Sequence, residues 1–65
     1  MTITKALLDK AIATGTPLTV RERAGGDAFA FTVASYDRRM VRGSYDYQGT
    51  RYDGTFHRAD LESAQ

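Results

Sequence analysis

Apolar and polar positions along the chain change period twice, and the changes divide it into elements. In "TKALLDKAIATG", Leu7, Leu8, Ala11 and Ile12 recur at helical spacing and form one apolar stripe. Thr4 supplies a capping hydroxyl, and Ile3 and Leu8 have the spacing of a hydrophobic staple. Gly15 ends the stripe and Pro17 prevents its continuation. This predicts a helix over 5–14, too short to stand without a sheet to lie on.

The period then becomes two. "LTVRERAGGDAFAFTV" predicts strands over 18–23 and 28–34. A two-residue Gly25-Gly26 turn would place Val20 opposite Phe31 and Leu18 opposite Val33. Every large apolar side chain of the pair then lies on one face. "ASYDRR" breaks the alternation and reads as a turn. Strands over 39–47 and 50–56 follow, around Gln48-Gly49. Pairing outward from that turn sets Asp46 against Arg51, Tyr45 against Tyr52, Gly43 against Gly54 and Val41 against Phe56. Val41, Tyr45, Tyr52 and Phe56 share a face and are expected in the core, with Tyr47 exposed near the tip. Facing glycines let strands bend sharply or approach closely, as a small barrel needs. The tail, 57–61, reads as a short fifth strand or a last turn of helix, with Leu61 its only sizeable apolar residue.

The expected fold is therefore mainly β: a small, strongly bent, antiparallel five-stranded barrel of Sm-like or SH3-like type with an N-terminal α-helix. Sixty-five residues make one domain, and a chain of this size buries only about 60% of its unfolded surface. Small domains commonly draw extra stability from disulfides, metals or association. There is no cysteine and His57 is the single histidine, so a disulfide and a His/Cys metal cage are excluded. Association or a partner is the help that stays open, including a homo-oligomeric ring closed through edge strands. The opening stretch lacks a long apolar run, so a cytoplasmic protein without a membrane span is expected. No motif calls for a cofactor. "AGGD" is followed by neither Gly-Lys-Thr nor a helix, so it is not a phosphate loop.

Formal net charge is +1, which does not by itself advertise nucleic acid. Local charge differs. From Arg38 to Arg58 there are five arginines against two acids, and arginine's planar fork suits phosphate and base contacts. Arg38, Arg39, Arg42, His57 and Arg58 form a candidate basic site, with Tyr36 or Tyr47 as a stacking face for single-stranded RNA. The plain alternative is a set of solvated arginines. No spacing of Ser44, Ser63, Asp60 and His57 suggests a triad, and Asp37, Asp46, Asp53 and Asp60 are scattered, so catalysis is not expected.

Several stretches resemble the Sm-like family. "LLDKAI…TPLTV" looks like the helix, Pro-containing link and first strand of bacterial Hfq. "FTVASYD" is similar to the Hfq stretch ending in Ser-Phe-Asp, and "FHRA" stands where Hfq carries Tyr-Lys-His-Ala. "LTVRERAGGDAF" and "YQGTRY" resemble Rof, the Sm-like protein that binds the terminator Rho. The Hfq resemblance implies an RNA site at Arg38 and Arg39, after "SYD", and at His57 and Arg58. The chain departs from Hfq where it matters: "IATG" replaces the helix arginine patch, and Arg38 and Arg39 replace a glutamine and a stacking phenylalanine. Two functions follow as expectations. One is a non-enzymatic regulator that binds RNA or an RNA-handling complex. The other is a protein-binding inhibitor, for example phage-encoded, that docks on a nucleic-acid enzyme or a defence complex.

Overall fold

The structure, a computed structural model, describes residues 2–64. Helix α1 (Lys5–Thr14) precedes five strands: β1 (Leu18–Glu22), β2 (Phe29–Tyr36), β3 (Met40–Tyr47), β4 (Thr50–His57) and β5 (Leu61–Ser63). A single 3-10 turn, Arg58–Asp60, joins the last two, so the tail contains both the helical turn and the short strand that its sequence left open.

Local chemistry fixes the helix ends. Thr4 Oγ1 accepts from Leu7 N–H, and Gly15, at φ 69°, donates its N–H to Ala11 O. These bonds satisfy groups that have no partner inside the helix. Ile3 and Leu8 are both buried, as the staple requires, and Ala11 lies beside them. Ile12 is 41% exposed, so the buried stripe is narrower than the sequence pattern suggests.

The five strands make one antiparallel sheet in the order β4-β3-β2-β1-β5. The edges β4 and β5 do not pair, so the sheet is not closed. A bridge from Thr2 to Glu62 partly covers the β5 edge. The β3–β4 hairpin has the expected register throughout, from Tyr47↔Thr50 to Val41↔Phe56. Its turn residues Gln48 and Gly49 have φ of 51° and 81°, the positive pair that a type I′ turn demands.

The β1–β2 connection corrects the sequence reading. Gly25-Gly26 is not a two-residue turn; residues 23–28 form a longer loop, and Leu18 pairs with Phe31 and Val20 with Phe29. The cause lies on the other side of β1. Glu22 pairs with Leu61, and Arg23 N–H donates to Asp60 O at 2.8 Å, which holds the end of β1 to the tail and away from β2. The shift is two residues, so each side chain keeps its face. Leu18, Val20, Phe31 and Val33 are all buried.

The core comprises these four with Ile3, Leu8, Ala11, Val41 and Leu61, and Phe29, Tyr36, Tyr45 and Phe56 pack against it. Tyr52 is the second correction. It stacks on Tyr45 with ring centres 5.7 Å apart, yet is 44% exposed, because β4 is an edge and nothing covers the ring's outer side. Gly43 accounts for the closeness of β2 and β3. A Cβ at that position would lie 2.0 Å from the Thr32 carbonyl oxygen. The register also slips between Val33 and Ser35, a bulge that turns Tyr36 back to the inner face, towards α1.

Candidate basic corner

β2 and β3 meet in a turn that Asp37 builds. Its Oδ1 accepts from the backbone N–H of Arg39 and of Met40, both at 2.8 Å, and its own N–H donates to Met40 O. Aspartate is suited to this because its short side chain can replace a backbone acceptor in a tight turn. These N–H bonds, of Met40 first and Arg39 second, hold the Asp37 carboxyl below its ordinary value, and Arg42 adds to the effect. The Arg42 guanidinium lies 3.4 Å from Asp37 Oδ2.

The end of β4 closes the corner. Met40 pairs with His57. Arg58 N–H donates to Arg39 O at 2.7 Å, and Arg58 Nη1 donates to Asp37 O at 3.1 Å. The Arg58 guanidinium also lies over the Tyr36 ring, 5.4 Å from its centre. Tyr36 in turn donates its hydroxyl to Asp9 of α1, whose carboxylate also takes the Lys5 ammonium at 2.8 Å. Asp9 is held low, chiefly by Lys5 and then by Tyr36, and Tyr36 is raised, chiefly by Asp9. Helix, turn and strand end are thereby tied at one place.

The six sequence-predicted residues therefore divide into three groups. Arg38 and Arg39 stand at the tip of the turn, exposed, and neither side chain has a hydrogen bond or ion pair with another described residue. Arg42, Arg58 and His57 lie beside them, but Arg42 is paired with Asp37, and Arg58 is half-buried and engaged by Tyr36 and Asp37. Tyr47 is elsewhere: it sits at the far end of β3, beside the hairpin tip, 59% exposed. Of the two rings proposed to stack a base, Tyr36 is at the corner, with Arg58 over its ring.

Sequence reasoning missed the part played by Asp37. The signal was present, since an aspartate that directly follows a strand and precedes two polar residues is a turn initiator. The Tyr36–Asp9 bond joins residues 27 apart and carries no local signal. The corner gathers the four guanidinium groups of Arg38, Arg39, Arg42 and Arg58 against the carboxylates of Asp37 and of Asp9, the latter paired with Lys5, so positive charge is in excess there. Among the described residues no group of three or more His, Cys, Asp or Glu side chains is placed to hold a metal ion, and no helix is long and apolar enough to cross a membrane. Comparison with protein-family models, with curated proteins and with solved structures returns no match.

Proposed function

We propose that this chain is a small non-enzymatic RNA-binding regulator, built as an open barrel of Sm-like type, that holds single-stranded RNA at the Arg38–Arg39 turn. One observation carries the reading. Two arginines are presented at the tip of a turn that is itself fixed by Asp37 and Arg58, and neither arginine is spent on an internal acid. The turn's backbone is already fixed, so only the two side chains have to be ordered on binding, and the planar guanidinium suits phosphate. Arg42, His57 and Arg58 extend the positive surface to either side. The resemblance of "FTVASYD" and "FHRA" to Hfq stretches points to the same residues.

The test is a salt titration of labelled single-stranded RNA followed by fluorescence anisotropy. Each phosphate contact contributes roughly 0.7 to the slope of log K against log salt for single strands. Arg38→Ala with Arg39→Ala should weaken binding and flatten that slope by about 1.4 if each arginine holds one phosphate. Circular dichroism should remain that of the parent. Unchanged affinity in the double variant would refute the assignment.

A second reading, a protein-binding inhibitor, is favoured by a different observation. The eight-residue β4 is an edge strand and leaves the Tyr52 ring partly uncovered. A folded protein without RNA affinity, whose β4 amides become protected on adding a nucleic-acid enzyme, would favour it over the first.

A further inference from the structure

The two edges of the sheet are unlike. β5 has three residues, and the bridge from Thr2 lies along it. β4 has eight, pairs with β3 along its whole length without a bulge, and carries neither proline nor lysine, the usual protections of an open edge. Its free backbone groups follow from the hairpin. The two-residue turn makes Tyr47↔Thr50 a hydrogen-bonded pair, so the backbone of Thr50, Tyr52, Gly54 and Phe56 faces β3. Arg58, next in that alternation, donates its N–H to Arg39 O as the pattern requires. The N–H and C=O groups of Arg51, Asp53 and Thr55 therefore point outward from the edge.

The side chains of the same stretch are only half satisfied. Tyr52 stacks on Tyr45 from one side and is 44% exposed on the other. Arg51 and Asp53 stand exposed on the opposite face of the strand. Arg51 reaches Asp46 at a loose 3.9 Å, and Asp53 makes no hydrogen bond or ion pair with a described residue. One occupant completes all three: the same strand of a second copy, running antiparallel. A two-fold axis between such strands keeps each side chain on its own face, so it passes through a residue. Placed at Arg51 or Asp53 it sets like charges together, and at Gly54 it sets Arg51 against His57. Tyr52 is the one centre along β4 that sets an arginine against a carboxylate. We propose that the chain forms a two-fold dimer by antiparallel pairing of β4 with β4 of a second copy, centred on Tyr52. Arg51 then lies opposite Asp53 of the second copy, and by symmetry the reverse, and each of these pairs exchanges its outward N–H and C=O groups. The row of rings runs Tyr45, Tyr52, then Tyr52 and Tyr45 of the second copy. The contact is isologous and closes at two. It leaves the Arg38–Arg39 turn free, so it goes beyond the RNA reading and stands or falls apart from it.

The pairing is short, so the dimer is a weak one, and sedimentation velocity from roughly 0.01 to 1 mM protein tests it. The parent should pass from monomer to dimer and no further. Arg51→Glu and Asp53→Arg each set like charges together at both contacts and should each weaken dimerisation by at least about tenfold. Both positions are exposed, and circular dichroism checks that the variants are folded. An equimolar mixture of the two should form a one-to-one heterodimer, because every contact again joins opposite charges. A chain carrying both substitutions should dimerise as the parent does. Amide exchange of the parent supplies a readout that needs no variant: the Arg51 and Asp53 amides should exchange more slowly at roughly 1 mM than at roughly 0.05 mM. A parent that stays monomeric would overturn the proposal and leave the edge to a foreign strand. Growth beyond two would overturn it in favour of head-to-tail pairing of unlike edges. So would single variants that dimerise like the parent, a mixture that associates no better than its components, or exchange at Arg51 and Asp53 that does not depend on concentration.

Discussion

Gly43→Ala probes the closest approach in the sheet. The added Cβ would lie 2.0 Å from Thr32 O, 2.9 Å from Thr32 C and 3.0 Å from Phe31 Cζ. Ordinary contact begins at 3.4 Å, so the methyl and the carbonyl oxygen must part by about 1.4 Å. That oxygen is backbone and cannot rotate away. The strands have to separate where Thr32 pairs with Ser44 and Val33 with Gly43, next to the bulge. Overpacking typically costs about 1–3 kcal/mol, and a clash with backbone belongs at about 3 or above. A domain of this length has roughly 3–10 kcal/mol to lose, so the variant should be partly or largely unfolded at ordinary temperature. Where it remains folded, its Tm should fall by at least about 12 °C, taking roughly 4–8 °C per kcal/mol. Gly54→Ala is the control. Its Cβ would meet Tyr45 Cε1 at 2.8 Å and Phe56 Cε2 at 2.9 Å, ring atoms rather than backbone, so relief needs two packed rings to shift but not the strands to part. A loss of about 1–2 kcal/mol, smaller than at Gly43, is expected there. Thermal and urea melts followed by circular dichroism measure both. If Gly43→Ala costs no more than Gly54→Ala, the close approach of β2 and β3 at Thr32 is not as described.

Leu61→Ala removes the one fully buried side chain of the tail and should cost about 2–5 kcal/mol, seen as a lowered urea midpoint. Gln48→Asn should raise stability by a few tenths of a kcal/mol, because asparagine tolerates the positive φ of that turn better than glutamine; a lowered Tm would contradict the turn assignment. Asp37 and Asp9 have carboxyls held below the ordinary 3.8, so their stabilisation is complete above that value and is lost as pH falls through their lower folded-state values. Asp37→Asn keeps an acceptor oxygen but not the charge, so its stability should fall less steeply on acidification below about pH 4 than the parent's. Parallel slopes would show that Asp37 is not a source of the acid limb.

What was legible in the sequence was whatever a short stretch decides for itself. Thr4 and Gly15 bound the helix through bonds to near neighbours, and the Gln48-Gly49 hairpin follows from one turn and eight consecutive pairs. The β1–β2 register was not legible, because β5, some forty residues away, decides where β1 ends. Yet the core faces of Leu18, Val20, Phe31 and Val33 were read correctly, since a shift of two residues leaves each on its side. Tyr52 was misjudged for a related reason: alternation gives the face of a strand, while exposure depends on whether a neighbour covers the edge. At the basic corner, sequence identified the arginines and not their division of labour. Arg58 and Arg42 are committed by Tyr36 and Asp37, contacts made only when the turn, β4 and α1 come together. Tyr47 was grouped with them by type, but the length of β3 separates it from the corner.

The most direct test of the RNA reading is an amide NMR titration of the parent protein with an oligouridine of about seven nucleotides at low salt. Binding at the turn predicts shifts concentrated at Asp37–Met40 and at His57–Arg58, with the Tyr47–Gly49 tip unmoved. No shifts, or shifts centred on Tyr47, would contradict it.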